Sequence, residues 1–239
     1  MKLLKFLSAV TFMAGSLFFS SCNGDETKTD DTTVSKDTTA VTKVETPTKP
    51  GNILIIMEKV ANYSKWKPGY DSHDSVRLAH GLHNNLVARG LKDSNMVMVV
   101  LLMDDTAKAK QFSTLPELKM TMQKAGVIGT PTFRLIDVQF RDTANAADTR
   151  VIITHKVKDW DAWKKSFDSH KQARIDAGLT DRAVGYAVGD THTVTVAMII
   201  HDMQKAEAFM ASKDLKDKMA EAGVVGAPDI FFYKVVQKY

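Results

Sequence analysis

The chain carries a single cysteine, Cys22, in 239 residues. One cysteine has no disulfide partner, makes no thiolate metal cluster and leaves the rest of the chain without a cysteine nucleophile. The N-terminal apolar run, residues 7–19, falls short of the roughly 20 residues that a membrane-crossing helix needs. No basic stripe interleaved with aromatics is present: Lys and Arg are scattered among Asp and Glu under a formal net charge of +4, which argues against nucleic acid as a partner. Metal-ligand spacing is also missing, because His80, His83, His155, His192 and His201 have no identical counterparts elsewhere in the repeat described below. The glycines of Ala125-Gly126-Val127-Ile128-Gly129-Thr130-Pro131 lack the Gly-x-Gly-x-x-Gly spacing of a phosphate cradle, and the segment reads as a loop from helix to strand.

What is present begins at the N-terminus. Lys2 and Lys5 precede the short apolar run, and Phe19-Ser20-Ser21 leads directly into Cys22. A charged n-region followed by a short h-region is a signal peptide. The small residues before Cys22 resemble the lipobox of bacterial lipoproteins, with Phe19 in place of the usual Leu. That resemblance implies cleavage after residue 21, acylation of Cys22, membrane as a partner through that lipid, and a place in the bacterial cell envelope, on the outer membrane facing the periplasm or the surface. Residues 22–50 are rich in Thr, Lys and Asp, hold no aromatic residue and show no apolar periodicity, so they read as a disordered tether. Its Asp31-Thr32-Thr33 and Asp37-Thr38-Thr39 triplets, like Asp142-Thr143-Ala144 further on, resemble short O-glycosylation sites of some Gram-negative bacteria.

Beyond the tether the chain repeats. Displacing it by 97 positions lays Ile55 on Ile152 and Ile136 on Tyr233 without a gap, with about one position in three identical. Trp66-Lys67 returns as Trp163-Lys164, Asp71-Ser72-His73 as Asp168-Ser169-His170, Arg77 as Arg174, and Ala125-Gly126-Val127 as Ala222-Gly223-Val224. Residues 51–141 and 150–239 are therefore two copies of one unit, joined by a polar linker. Each copy reads βαββαβ. Asn62 and Asp159 are N-cap candidates for a first helix running to Gly81 or Gly178, and Asp105 and Asp202 open a second one ending at Gly126 or Gly223, with the fourth strand after the proline. The fold class is α+β, two tandem ferredoxin-like repeats with helices on one sheet face.

The Trp-Lys…Asp-x-His…Arg helix and the Ala-Gly-Val-x-Gly-x-Pro ending resemble the dimeric α/β-barrel proteins grouped with antibiotic-biosynthesis monooxygenases. The resemblance implies that two units pair through their sheets, here within one monomeric chain. That superfamily also contains haem-dependent members, so haem is the one cofactor it suggests, and a fold shared so widely does not name a reaction.

Chemistry is expected on the first helix of each copy. Tyr63, Trp66, Tyr70, His73 and Arg77 are spaced to share one face, and Trp160, Trp163, Phe167, His170 and Arg174 repeat the stripe. His73 and His170 are candidates for general acid–base work, Arg77 and Arg174 for holding an acidic group, and Trp66, Tyr70, Trp163 and Phe167 for stacking on a planar ligand. The competing reading is that the aromatics pack the helix on its sheet and that the protein is a non-catalytic interaction lipoprotein. Pro68 interrupts only the first copy, so the two pockets are expected to differ and, if only one copy is active, the second, with His170 and Arg174, is the one expected.

Overall fold

The computed structural model describes residues 50–239; the signal segment, Cys22 and nearly all of the tether lie outside the described residues. The first copy comprises β1 (Ile53–Val60), α1 (Tyr63–Ser72), α2 (Asp74–Ala79), β2 (Leu82–Gly90), β3 (Met96–Met103), α3 (Thr106–Ser113), α4 (Pro116–Lys124) and β4 (Val127–Arg141). The second repeats the series as β5 (Thr149–Val157), α5 (Trp160–Ser169), α6 (Lys171–Asp176), β6 (Leu179–Ala187), β7 (Asp190–Ile200), α7 (Met203–Ala211), α8 (Lys213–Glu221) and β8 (Val224–Lys238).

The expected caps are in place. Asn62, Asp105, Asp159 and Asp202 have extended backbones, and their side chains accept from the amides of Lys65, Lys108, Ala162 and Lys205, satisfying donors that a helix start leaves open. Gly81 (φ 65°) and Gly178 (φ 71°) then take the left-handed turn that follows α2 and α6.

Three local expectations are corrected. The first helix is not continuous: it breaks at His73 (φ −93°, ψ 13°) and at His170 (φ −94°, ψ 12°), each a junction between two short helices. Because both copies break at the same point, Pro68 is not the cause, and α1 runs through it. The second helical stretch also divides, where Pro116 starts α4 and where the Ser212 hydroxyl accepts from the Leu215 amide to start α8. Finally, the Ala-Gly-Val-x-Gly-x-Pro segment is no loop. Each fourth strand begins at its valine, and Gly129 and Gly226, both at φ 73°, sit in a bulge of that strand.

All strand pairs are antiparallel, and the eight strands close into one barrel in the order β1-β3-β2-β8-β5-β7-β6-β4. The two sheets are thus joined at their edges. The 15-residue β4 and β8 outrun their own partners, and their ends pair across the repeats, Ile136 to Arg141 with β6 and Tyr233 to Lys238 with β2. Alternation along each strand sends one set of side chains inward. Ile55, Met98, Val100, Val138, Ile152 and Val235 fill the barrel from both copies. The opposite faces bury two separate cores beneath the helices, one around Trp66 and Phe112 and one around Trp163 and Leu179.

Candidate functional site

Each helix-covered core contains a small cavity, lined by Trp66, Tyr70, His73 and Arg77 in the first copy and by Trp163, Phe167, His170 and Arg174 in the second, while Tyr63 and Trp160 of the expected stripe lie outside the linings. In the second copy the Trp163 and Phe167 rings stack at 5.0 Å, with Trp160 beside them at 5.4 Å from Trp163. The Arg174 guanidinium lies 3.6 Å over the Phe167 ring. Its donors are already committed: Nε and Nη2 reach the two Asp181 carboxylate oxygens at 2.9 and 2.8 Å, and Nη1 reaches the Phe167 carbonyl at 2.6 Å. The cationic fork that the sequence offered to an acidic ligand is engaged within the protein. His170, at the helix break, faces Asp214 of α8 with Nε2 3.5 Å from its carboxylate.

The first copy solves the same problem with different groups. Trp66 stacks on Tyr70 at 5.0 Å, and Arg77 lies 3.9 Å over the Tyr70 ring. Arg77 donates to the Tyr70 carbonyl at 2.7 Å and to Asp74 at 3.2 Å. The position of Asp181 is taken here by Asn84, which donates to Asp74 at 2.6 Å and accepts the Tyr70 hydroxyl at 2.5 Å. Burial holds the Tyr70 phenol above its ordinary range, so it remains a donor. His73 borders the cavity, and burial, followed by the charge of Arg77, depresses its proton affinity.

The polar groups that face the cavities from the sheet were not singled out by the sequence. Glu58 of β1 is 4% exposed; its Oε1 accepts the Trp66 indole N–H at 2.8 Å, and its Oε2 is buried without a hydrogen-bond partner. Burial, opposed only by that indole, pushes the Glu58 carboxyl up to about 7. The equivalent position in β5 is His155, which is 8% exposed, 5.5 Å from the Trp163 ring, and without a partner for either ring nitrogen. Burial brings it down to about 4, so it is a neutral imidazole.

The bulges explain the room beside these two groups. Pairing jumps from Met57↔Thr132 to Lys59↔Ile128 and from Thr154↔Asp229 to Lys156↔Val225, so the fourth strands arc away opposite Glu58 and His155. A signal for both residues was legible. Leu54, Ile56, Glu58 and Val60 share one parity of β1, which puts a carboxylate on an otherwise apolar, helix-facing row. Scoring the repeat by position rather than identity would have set His155 against it.

The second-copy cavity is about 90 Å³; its remaining walls are mostly apolar, Met198, Met210 and Met219 among them, with Ser166 and Lys218 the polar exceptions. The first-copy cavity is about 40 Å³. Three larger open clefts, of about 320, 460 and 680 Å³, contain no buried polar atom without a partner. Among the described residues no group of three His, Cys, Asp or Glu side chains is placed to hold a metal ion.

No family model and no curated protein sequence matches the chain. Solved structures do. An anthrone oxidase-like protein superposes with a TM-score of 0.55 at 15% identity, over 79% of this chain and 92% of its own. A chlorite dismutase-like protein gives 0.53 at 12% identity over 79% and 96%, and a monooxygenase-like protein of Fusobacterium nucleatum 0.50 at 12% over 78% and 92%. At these identities the likeness establishes the fold: this chain is a dimeric α/β-barrel built from one polypeptide, an architecture that also serves small-molecule binding and oxygenase-type proteins.

Proposed function

We propose that the chain is a lipid-anchored protein of the bacterial cell envelope, held by acylated Cys22, that takes a small planar molecule with a hydroxyl group into its second-copy cavity. The observation that carries this reading is His155, a buried neutral imidazole with both nitrogens unpaired beside an apolar cavity. A buried group of that kind costs about 1 to 3 kcal/mol unless something hydrogen-bonds to it. The acidic character expected of the ligand reduces to a hydroxyl donor, because Arg174 is occupied by Asp181. A volume of about 90 Å³ is less than the ~150 Å³ that accommodates benzene, and the flexible Met198, Met210 and Met219 are what would yield to admit a ring.

The experiment is quenching of Trp160 and Trp163 fluorescence by phenol, catechol and hydroquinone. Saturable quenching that is lost in His155→Leu supports the reading. Absence of saturation with all three, or identical quenching in the variant, returns the stripe to a packing role. Export and anchoring are tested separately: the chain partitions with membranes, and Cys22→Ser releases it or stalls its processing.

Oxygenase-type activity is a second reading, and Glu58 favours it. A carboxyl near 7 is matched to removing a hydroxyl proton at neutral pH, whereas an imidazole near 4 is a weak base. Oxygen uptake with quinols that falls in Glu58→Gln would assign that chemistry to the first copy. Haem needs more room than either cavity offers: cofactor pockets run from roughly 300 to 1,000 Å³, and these are about 90 and 40 Å³.

A further inference from the structure

Another buried polar atom without a partner lies outside both cavities, on Arg182 of β6, whose Nη1 is enclosed and unpaired. Arg182 is not alone. Arg141 pairs with Ala183 across the β4–β6 ladder and the Asp142 amide donates to the Arg182 carbonyl at 2.9 Å, so Arg141 and Arg182 are neighbours; burial, then the charges of Arg150 and Arg141, depress the proton affinity of Arg182. Arg150 of β5 is 3% exposed and shares the inward face of the strand with Ile152. It donates through Nε to the Ala147 carbonyl at 2.8 Å and lies opposite Tyr233, its direct partner across the β5–β8 ladder. The Tyr233 side chain is 3% exposed, and burial pushes its phenol up to about 12, so it keeps its proton to give. Burial also depresses Arg141, the last residue of β4.

These groups have donors and few acceptors. Of the nearby carboxylates, Asp142 acts on Arg182 while accepting the Ala144 amide, and Asp148 Oδ1, 2.7 Å from the Lys238 ammonium, is buried and accepts no hydrogen bond of good geometry. The fold itself does not require the cluster. The positions equivalent to Arg150, Arg182 and Tyr233 in the first copy are Ile53, Asn85 and Ile136, and Arg141 corresponds to Lys238, so only one of the four equivalents carries a charge. Like charges gathered in a low-dielectric interior repel and lose hydration, a cost that an opposite charge with several acceptor oxygens offsets. Arginine forks match planar and tetrahedral oxyanions, and a tyrosine hydroxyl adds a neutral donor.

We propose that Arg141, Arg150, Arg182 and the Tyr233 hydroxyl bind a small oxyanion, a phosphate, sulfate or carboxylate, inside the barrel beside the 142–148 linker. The site is independent of the helix-covered cavities and of whatever they bind.

The test is thermal unfolding of the full chain at neutral pH in sodium phosphate, sodium sulfate, sodium acetate or sodium chloride of matched ionic strength. Excluded anions stabilise most proteins in proportion to concentration, so the site is read from a saturable rise beyond that slope. We expect a rise of about 2 to 4 °C, lost in Arg182→Gln and in Arg141→Gln and partly kept in Arg182→Lys. The anion that saturates at the lowest concentration identifies the preferred class. In chloride alone, Arg182→Gln should melt no lower than the unaltered chain, because it removes a repelled charge. Equal anion responses in all four proteins, or a drop for Arg182→Gln in chloride, would overturn the proposal and leave Arg182 a structural side chain.

Discussion

In the second half of the chain a neutral imidazole lies under the helices where the first half has a carboxyl, and the two halves differ again one layer out. Arg174 is neutralised by Asp181 from the sheet, with side chains only 5% and 12% exposed, whereas Arg77 is neutralised by Asp74 from its own helix, at 4% and 45%. Two copies of one backbone thus keep the Trp-aromatic-Arg stack and exchange the groups that titrate. The stack is what the packing requires; the exchanged groups are where the copies are free to differ in chemistry.

The comparison breaks most visibly at the tryptophans. Trp66→Ala and Trp163→Ala should each cost about 3 to 5 kcal/mol in urea denaturation, as large buried rings do when removed. The milder Trp66→Phe and Trp163→Phe sharpen it: the former also strips Glu58 of its only hydrogen bond, so it should cost a further 1 to 3 kcal/mol or so that the latter does not. Equal costs would mean that the indole–carboxyl bond contributes little. Next come the arginines. Arg174→Met leaves Asp181 buried and unpaired, at about 3 to 5 kcal/mol, while Arg77→Met leaves a half-exposed Asp74 and should cost about half as much. Both are read from denaturant midpoints.

The two titrating groups predict opposite pH dependences. Glu58 has its carboxyl raised to about 7, so its favourable term is fully present below its ordinary value of 4.5 and lost as pH rises through 7; His155, lowered to about 4, contributes above its ordinary 6.5 and loses that term as pH falls through 4. Each swing amounts to about 3 kcal/mol. Between pH 4 and 7 they nearly cancel. Glu58→Gln should therefore leave stability rising with pH across that window relative to the unaltered chain, and His155→Leu should leave it falling. Parallel profiles for the two variants would sink the assignment. The smallest expected effect is at the caps, where Asp159→Ala and Asn62→Ala should each lower stability by about 1 kcal/mol, measurable by thermal melting and similar in the two halves.

How much of this was legible in the sequence depended on whether the signal was local. Caps, left-handed glycines, the Trp-Tyr-His-Arg and Trp-Phe-His-Arg stripes and the repeat itself are written in neighbouring residues. The breaks at His73 and His170 are not, because a residue near φ −93° needs neither glycine nor proline to mark it. The early start of β4 and β8 was hidden by the glycines that make their bulges, which read as a loop. Nothing local foretold that Arg174 would find Asp181 or that His155 would lie against Trp163, since those partners come from different elements.

Closure of the barrel also sets the order in which the chain can fold. Synthesis proceeds from the N-terminus, and when the first copy is complete its β2 edge and the overhanging end of β4 have no mates until β8 and β6 arrive. Pairing Leu86 with Lys238 spans most of the described chain, a long loop to close and a slow one. During that interval two strand edges, one carrying Leu86, Val87 and Ala88, are open templates for association with another nascent copy. Folding yield should therefore depend on concentration even though the finished barrel leaves no free strand edge among the described residues.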